Sequence, residues 1–184
     1  MSTDIRILCV AGLLACVGSF VWGMSGRFFR QHGRKTLGLR VIQVAGTIAC
    51  VSNLAALVAH GRYEASRGLA GIALYGLSFA LFWWAVRAHS AAPPTHAFST
   101  DVPQSLVREG PYRMMRHPFY SSYLLAWAAA PVATGESGLL LTLALMAAIY
   151  WRAACLEEQK FEHSSLCASY RRYRAATGMF LPWI

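Results

Sequence analysis

Twenty residues, from Ile5 to Met24, carry a single charged side chain, Arg6. Wound as a helix rising about 1.5 Å per residue, such a run matches a hydrocarbon core about 30 Å thick. In water it would have no polar face to present. The basic cluster follows this run and no small-residue cleavage site closes it, so a retained span is expected rather than a cleaved leader. Val41 to Ala59 and Leu69 to Val86 repeat the pattern. Asn53, the one strongly polar side chain in the former, is expected to face another helix. Phe119 to Cys155 is apolar again, and it reads as broken at Pro131 and at the turn-forming TGESG of residues 134–138. Each arm then has about 15 residues, or about 22 Å of helix, a tilted crossing or a short hairpin whose ends return to one side.

The pattern predicts an all-α fold: a polytopic membrane bundle of about five transmembrane helices. One domain is expected over residues 1–184, with N-terminal spans in 1–88 and the functional half in 105–184. Composition agrees. Hydrophobic residues make up 56% of the chain and charged residues 14%, against about a quarter charged in soluble domains. The five cysteines form no C-x-x-C pair and mostly sit in apolar runs. They are expected to be small buried hydrophobes, not disulfides or metal ligands.

A formal charge of +9 would suit nucleic acid if the cations formed a polar stripe. They border the apolar runs instead, so lipid headgroups are the expected partner and no nucleic acid is. The first connection holds Arg27, Arg30, Arg34, Lys35 and Arg40, and the second only Arg62 and Arg67. The third holds Arg87, Arg108, Arg113 and Arg116, the TGESG turn none, and the tail Arg152, Lys160, Arg171, Arg172 and Arg174. Alternating spans place the rich segments on one side. The positive-inside rule then makes the C-terminus cytoplasmic, in a membrane read as the bacterial inner membrane. Residues 90–101, with two prolines, are expected to be extended. Residues 156–176 are expected to form a helix along the interface.

Three clusters carry chemistry. Arg116, His117 and Pro118 stand where a loop enters a helix. Proline suits a first helical turn, the amides after it make an anion site, and Arg116 and His117 add a fixed and a titratable donor. A snorkelling cluster on lipid phosphate is the plain alternative. Glu157 and Glu158 leave the last span together, below Arg152. Carboxylates at that depth normally have a partner or a task, the plain alternative being headgroup-level solvation with a helix pair such as Glu157 with Lys160. Tyr170 and Tyr173, one helical turn apart, precede Gly178 and an apolar end, and they suit either a lipid-anchored tail or the walls of a planar site.

In order, G-P-Y-x-x-x-R-H-P-x-Y at 110–120, R-x-x-x-x-E-E at 152–158 and Y-x-x-Y at 170–173 resemble the isoprenylcysteine carboxyl methyltransferase family. Membrane phospholipid methyltransferases are among its relatives. The resemblance covers roughly residues 105–184. It implies an integral membrane enzyme using S-adenosylmethionine without a Rossmann domain, and no strand–glycine-turn–helix unit is visible. His117, Pro118 and Tyr120 would line the cofactor site, with Glu157 and Glu158 reaching its amine or ribose hydroxyls. Tyr170 and Tyr173 would flank it, and Arg116 would hold its carboxylate. Arg152, Glu157 and Glu158 would be the catalytic set, with Arg152 orienting a lipophilic or small-molecule methyl acceptor. The alternatives are an NADPH-dependent sterol-type reductase, whose R-x-P-N-Y motif is broken by Phe119, or a non-enzymatic protein that binds lipid headgroups.

Overall fold

The computed structural model describes residues 2–28, 37–61, 63–89 and 105–182. Among these residues the chain is helical, with no strand. Helix α1 is Ser2–Trp22, continued by one π-helical turn, Gly23–Arg27. Then come α2 (Leu37–Ala59), α3 (Ala65–Ala88), a 3-10 turn (Gly110–Arg113), α4 (Pro118–Thr134), α5 (Leu139–Glu162) and α6 (Cys167–Ala175). Arg30, Arg34, Lys35, Arg62 and the expected extended segment 90–101 lie outside the described residues.

Four helices are long and apolar enough to cross a membrane: Thr3–Ser25, α2, α3 and Leu139–Glu162. The expected fifth, α4, has 17 residues, about 25 Å at a helical rise. It is the most enclosed helix, packed between α3, α5 and α2 with most of its side chains buried. Its brevity matters less than its surroundings, because protein shields much of its surface.

The bundle has an apolar outside. Ile7, Leu14, Val44, Ile48, Val51, Leu69, Leu77 and Leu141 are all exposed. Inside, small and polar residues let the backbones approach, as expected where lipid gives apolar side chains no reason to hide. A Cβ on Gly71 would lie 2.6 Å from the Ala133 Cβ and 2.9 Å from the Ala129 carbonyl oxygen. This glycine therefore sets the α3–α4 distance. Ser78 adds a buried hydroxyl donating to the Ser122 carbonyl across the same contact, at 2.7 Å. Asn53 is fully buried and donates to the Ala49 carbonyl of its own helix. The cysteines are free.

Two expectations need correcting. Pro131 does not break the run; it lies within the last turn of α4, where its missing N–H interrupts little of the remaining ladder. The stop comes at Gly135, whose φ of 75° suits glycine and whose N–H caps the Pro131 carbonyl at 2.8 Å. Nor do residues 156–176 form one interfacial helix. α5 runs on to Glu162, a turn follows, and α6 starts at Cys167. The Phe161 carbonyl explains that turn, accepting both the Ser164 amide and its hydroxyl.

At one end of the bundle the α2–α3 and α4–α5 connections meet, with the His60 Nδ1 3.6 Å from a Glu136 oxygen. At the other end, the exit of α3, the 3-10 turn, the start of α4 and the end of α5 come together under α6. That end collects the arginines.

Candidate active site

The motif around His117 is held by the tail. Met115 and Gly178 form an isolated parallel bridge. The Arg116 amide donates to the Gly178 carbonyl at 2.8 Å, the His117 amide to the Met179 carbonyl at 3.0 Å, and the Gly178 amide to the Met114 carbonyl at 3.2 Å. The Ser121 hydroxyl reaches the Phe180 carbonyl at 2.6 Å. α6 closes the same structure from beside it. Its Tyr173 hydroxyl donates to the Tyr112 carbonyl at 2.8 Å. Two segments some sixty residues apart in sequence are thus stitched together by backbone pairs and two side-chain hydroxyls.

Pro118 opens α4 as expected and is buried. Arg116 and His117, just before it, turn toward the end of α5. Arg116 Nε donates to Glu158 Oε1 at 2.8 Å, and only 9% of the arginine side chain and 7% of the glutamate side chain are exposed. Arg116 Nη1 also donates to the Thr177 carbonyl and, at 3.3 Å, to that of Arg174. His117 Nε2 lies 3.1 Å from the same Glu158 oxygen, and its Nδ1 3.6 Å from Glu157 Oε2. Arg174 Nε stands 3.6 Å from Glu158 Oε2. Glu158 is therefore enclosed by three basic groups.

Both nitrogens of His117 face carboxylates, and only the doubly protonated ring offers a proton to each. Burial disfavours the charged form, but hydrogen bonds to Glu157 and Glu158 and their charges outweigh it, and the pKa is raised above the ordinary 6.5.

Glu157 is the more open carboxylate, 29% exposed. Tyr120 donates its hydroxyl to Glu157 Oε1. The Tyr120 ring stacks between His117, at 5.6 Å and 20°, and Tyr150, at 5.3 Å and 13°. Phe180 of the tail and Trp151 of α5 lie beside this stack. The rings of this column turn their faces on one another, so the part-open carboxylate at its side is the group suited to an organic cation.

Of the residues singled out in the sequence, Arg116, His117, Tyr120, Glu157 and Glu158 form one cluster, and Tyr170 and Tyr173 stand behind it. Tyr170 stacks on Phe161 at 4.7 Å and 11°. Burial, chiefly, and the nearby Glu158 charge push its hydroxyl pKa up. Tyr173 is turned onto backbone carbonyls, and burial raises its pKa to about 12. Neither tyrosine presents a wall to an open site. Arg152 is not part of the cluster. It is exposed on α5, about 120–140° around the helix from the two glutamates. Five to six residues of spacing carry it off their face.

Thr177 and Tyr150 drew no notice in the sequence, Arg174 entered only in the count of tail cations, and each contributes. Thr177 acts through its carbonyl, which no side-chain pattern announces. Tyr112 was quoted in the G-P-Y motif without a role. Its hydroxyl lies 2.8 Å from the Nε2 of His89 at the end of α3, and burial drives its pKa well up. Among the described residues no group of His, Cys, Asp or Glu is arranged to hold a metal ion.

No curated protein matches the chain. Residues 66–164, just over half of it, match the phospholipid methyltransferase family. The match runs from the start of α3 through the turn after α5, and so takes in the whole Arg116–His117–Tyr120–Glu157–Glu158 cluster. With apolar helices long enough to cross a bilayer and a family of membrane methyltransferases matched over its central half, the chain is a multi-pass membrane protein of the phospholipid methyltransferase family.

Proposed function

We propose that the protein transfers a methyl group from S-adenosylmethionine to a lipophilic or membrane-borne acceptor at the cytoplasmic face. The observation that carries this reading is the unequal setting of the two glutamates. Glu158 has basic groups facing both its oxygens, whereas Glu157, partly exposed, accepts from Tyr120 and faces His117. A carboxylate offers about four lone-pair directions, so Glu157 keeps room for the ammonium or ribose hydroxyls of the donor. The residues fit the group.

Bound there, the donor would supply an electrophilic methyl on a sulfonium, taken by the lone pair of an oxygen, nitrogen or sulfur nucleophile as the carbon–sulfur bond breaks and leaves a neutral thioether. The chain's own work is orientation and exclusion of water, which can lower a barrier by several kcal/mol (about 7–11 at the limit). Glu157 holds the cation, the Tyr120–Tyr150 column flanks it, and the tail through Phe180 covers the mouth. Arg116, enclosed by Glu158 and two carbonyls, positions Glu158 and does not hold the donor carboxylate in this account. Where the acceptor arrives as a protonated amine, the Glu157 carboxylate is the nearby group that can take its proton, since both nitrogens of His117 already carry one.

Equilibrium binding in detergent tests the reading. S-adenosylhomocysteine, the product of the donor, should bind saturably and NADPH should not. Saturable binding of NADPH alone would assign the site to reductase chemistry. Binding of neither would leave a protein that engages only lipid.

A further inference from the structure

α6 has two faces with different work. Tyr170 and Tyr173 are buried on one. Arg171 and Arg172 are exposed and stand about 130° to either side of it. Neither makes an ion pair or hydrogen bond among the described residues. Arg113, on the 3-10 turn, is likewise exposed. Arg108 extends the same basic surface, donating to the Ser169 carbonyl at 2.8 Å with its guanidinium 5.7 Å from the centre of the Tyr173 ring. Of the nearby acids, Glu162 is held by Arg174 at 2.7 Å, which leaves Glu109 as a weak counterweight.

The position of this surface decides its partner. α5 is long and apolar enough to cross the bilayer and ends at Glu162, and α6 begins after one short turn. A basic helix fixed at the end of a span lies at headgroup level, where the attraction of an anionic leaflet acts within about a Debye length, roughly 10 Å. Guanidinium groups match phosphate oxygens as forks. We propose that the arginine face of α6 docks anionic lipid headgroups of the protein's own membrane, and that this contact tunes the Glu157–Glu158 carboxylate cluster on the helix's other side.

The second half of the proposal rests on the donor-binding reading above. α6 is joined to the carboxylate cluster through its inner face and its C-terminal end. The Tyr173 hydroxyl holds the Tyr112 carbonyl, and the carbonyls of Arg174 and Thr177 receive Arg116, which in turn holds Glu158. A lipid that steadies α6 therefore steadies the carboxylate cluster. By linkage, donor binding steadies the lipid contact equally.

The test uses the full-length protein in phosphatidylcholine vesicles with and without phosphatidylglycerol. Amide hydrogen exchange over residues 167–175 should slow when phosphatidylglycerol is present. The slowing should vanish at high salt and in the double variant Arg171→Gln/Arg172→Gln, which leaves the inner face untouched. Equal exchange in both membranes would overturn the docking. So would slowing that persists in the variant, or slowing reproduced by inorganic phosphate added to neutral vesicles. S-adenosylhomocysteine affinity should rise about fivefold or more with phosphatidylglycerol in the wild type, the lower range of allosteric coupling, and not in the variant. Slowed exchange with unchanged affinity would overturn the coupling. Absence of S-adenosylhomocysteine binding in either membrane would overturn the donor-binding reading, while the exchange result would still decide the docking.

Discussion

His117 is the residue on which the electrostatics of the cluster turn. Its two nitrogens face Glu158 at 3.1 Å and Glu157 at 3.6 Å, and those partners raise its pKa over the opposing effect of burial. A raised pKa means that the folded state holds the proton more tightly than the unfolded chain. The stabilisation is then fully present below the ordinary value of 6.5 and is lost as pH rises through the higher folded-state value. The melting temperature of the ligand-free protein should therefore fall as pH is raised from 6.5 upward, relative to His117→Gln. Parallel pH profiles in the two proteins would show that the folded ring holds its proton no more tightly than the unfolded chain does. The sequence made His117 conspicuous because a histidine precedes a helix-starting proline. It gave no sign of which carboxylate each nitrogen meets, because that depends on where the end of α5 lands.

Among the elements, α4 shows best what was legible and what was not. The TGESG turn announced its end, and Gly135 does stop it. Pro131 looked like an equal signal, yet a proline in the last turn leaves too little ladder downstream to matter. The apolar run after TGESG was read as ending at Cys155, an arm of about 15 residues, whereas α5 continues to Glu162. It stays helical through Arg152, Glu157 and Glu158 because two of those charges are matched from α4's approach and from the tail. Packing against α3 depends on Gly71, whose missing Cβ leaves room for Ala133 and the Ala129 carbonyl. Gly71→Leu should force the helices apart and cost about 1–3 kcal/mol, the usual range for overpacking. Thermal unfolding in detergent checks this. An unchanged melting temperature would mean that the α3–α4 contact is looser than the approach of Ala133 to Gly71 implies.

At the scale of the whole molecule, the helical membrane bundle could be read from apolar runs alone, and the position of the cluster could not. Bringing residues 116–120 to residues 157–158 needed the tail's backbone pairing with 114–117, which depends on carbonyls and amides present at every position. Tyr170 and Tyr173 were conspicuous as aromatics, but the fold uses them to seat α6. Arg152 drew notice by its spacing to the glutamates, and helical geometry turned it away from them. The cation count still bears on orientation. A reporter fused after Ile184 should be cytoplasmic, and one inserted beside Tyr63 should be external. An external C-terminus would separate the cluster from a cytosolic donor.

The central claim is that Glu157 receives the methyl donor while Glu158 holds the site together. It is tested by melting curves with and without S-adenosylhomocysteine for the wild type, Glu157→Gln and Glu158→Gln. Glu157→Gln should melt close to the wild type without ligand and lose most of the ligand-induced shift, because a charge-assisted hydrogen bond of about 1.5–3 kcal/mol is removed. Glu158→Gln should melt well below the wild type without ligand, since breaking one side of a buried ion pair costs about 3–5 kcal/mol. A full ligand-induced shift in Glu157→Gln would contradict the account.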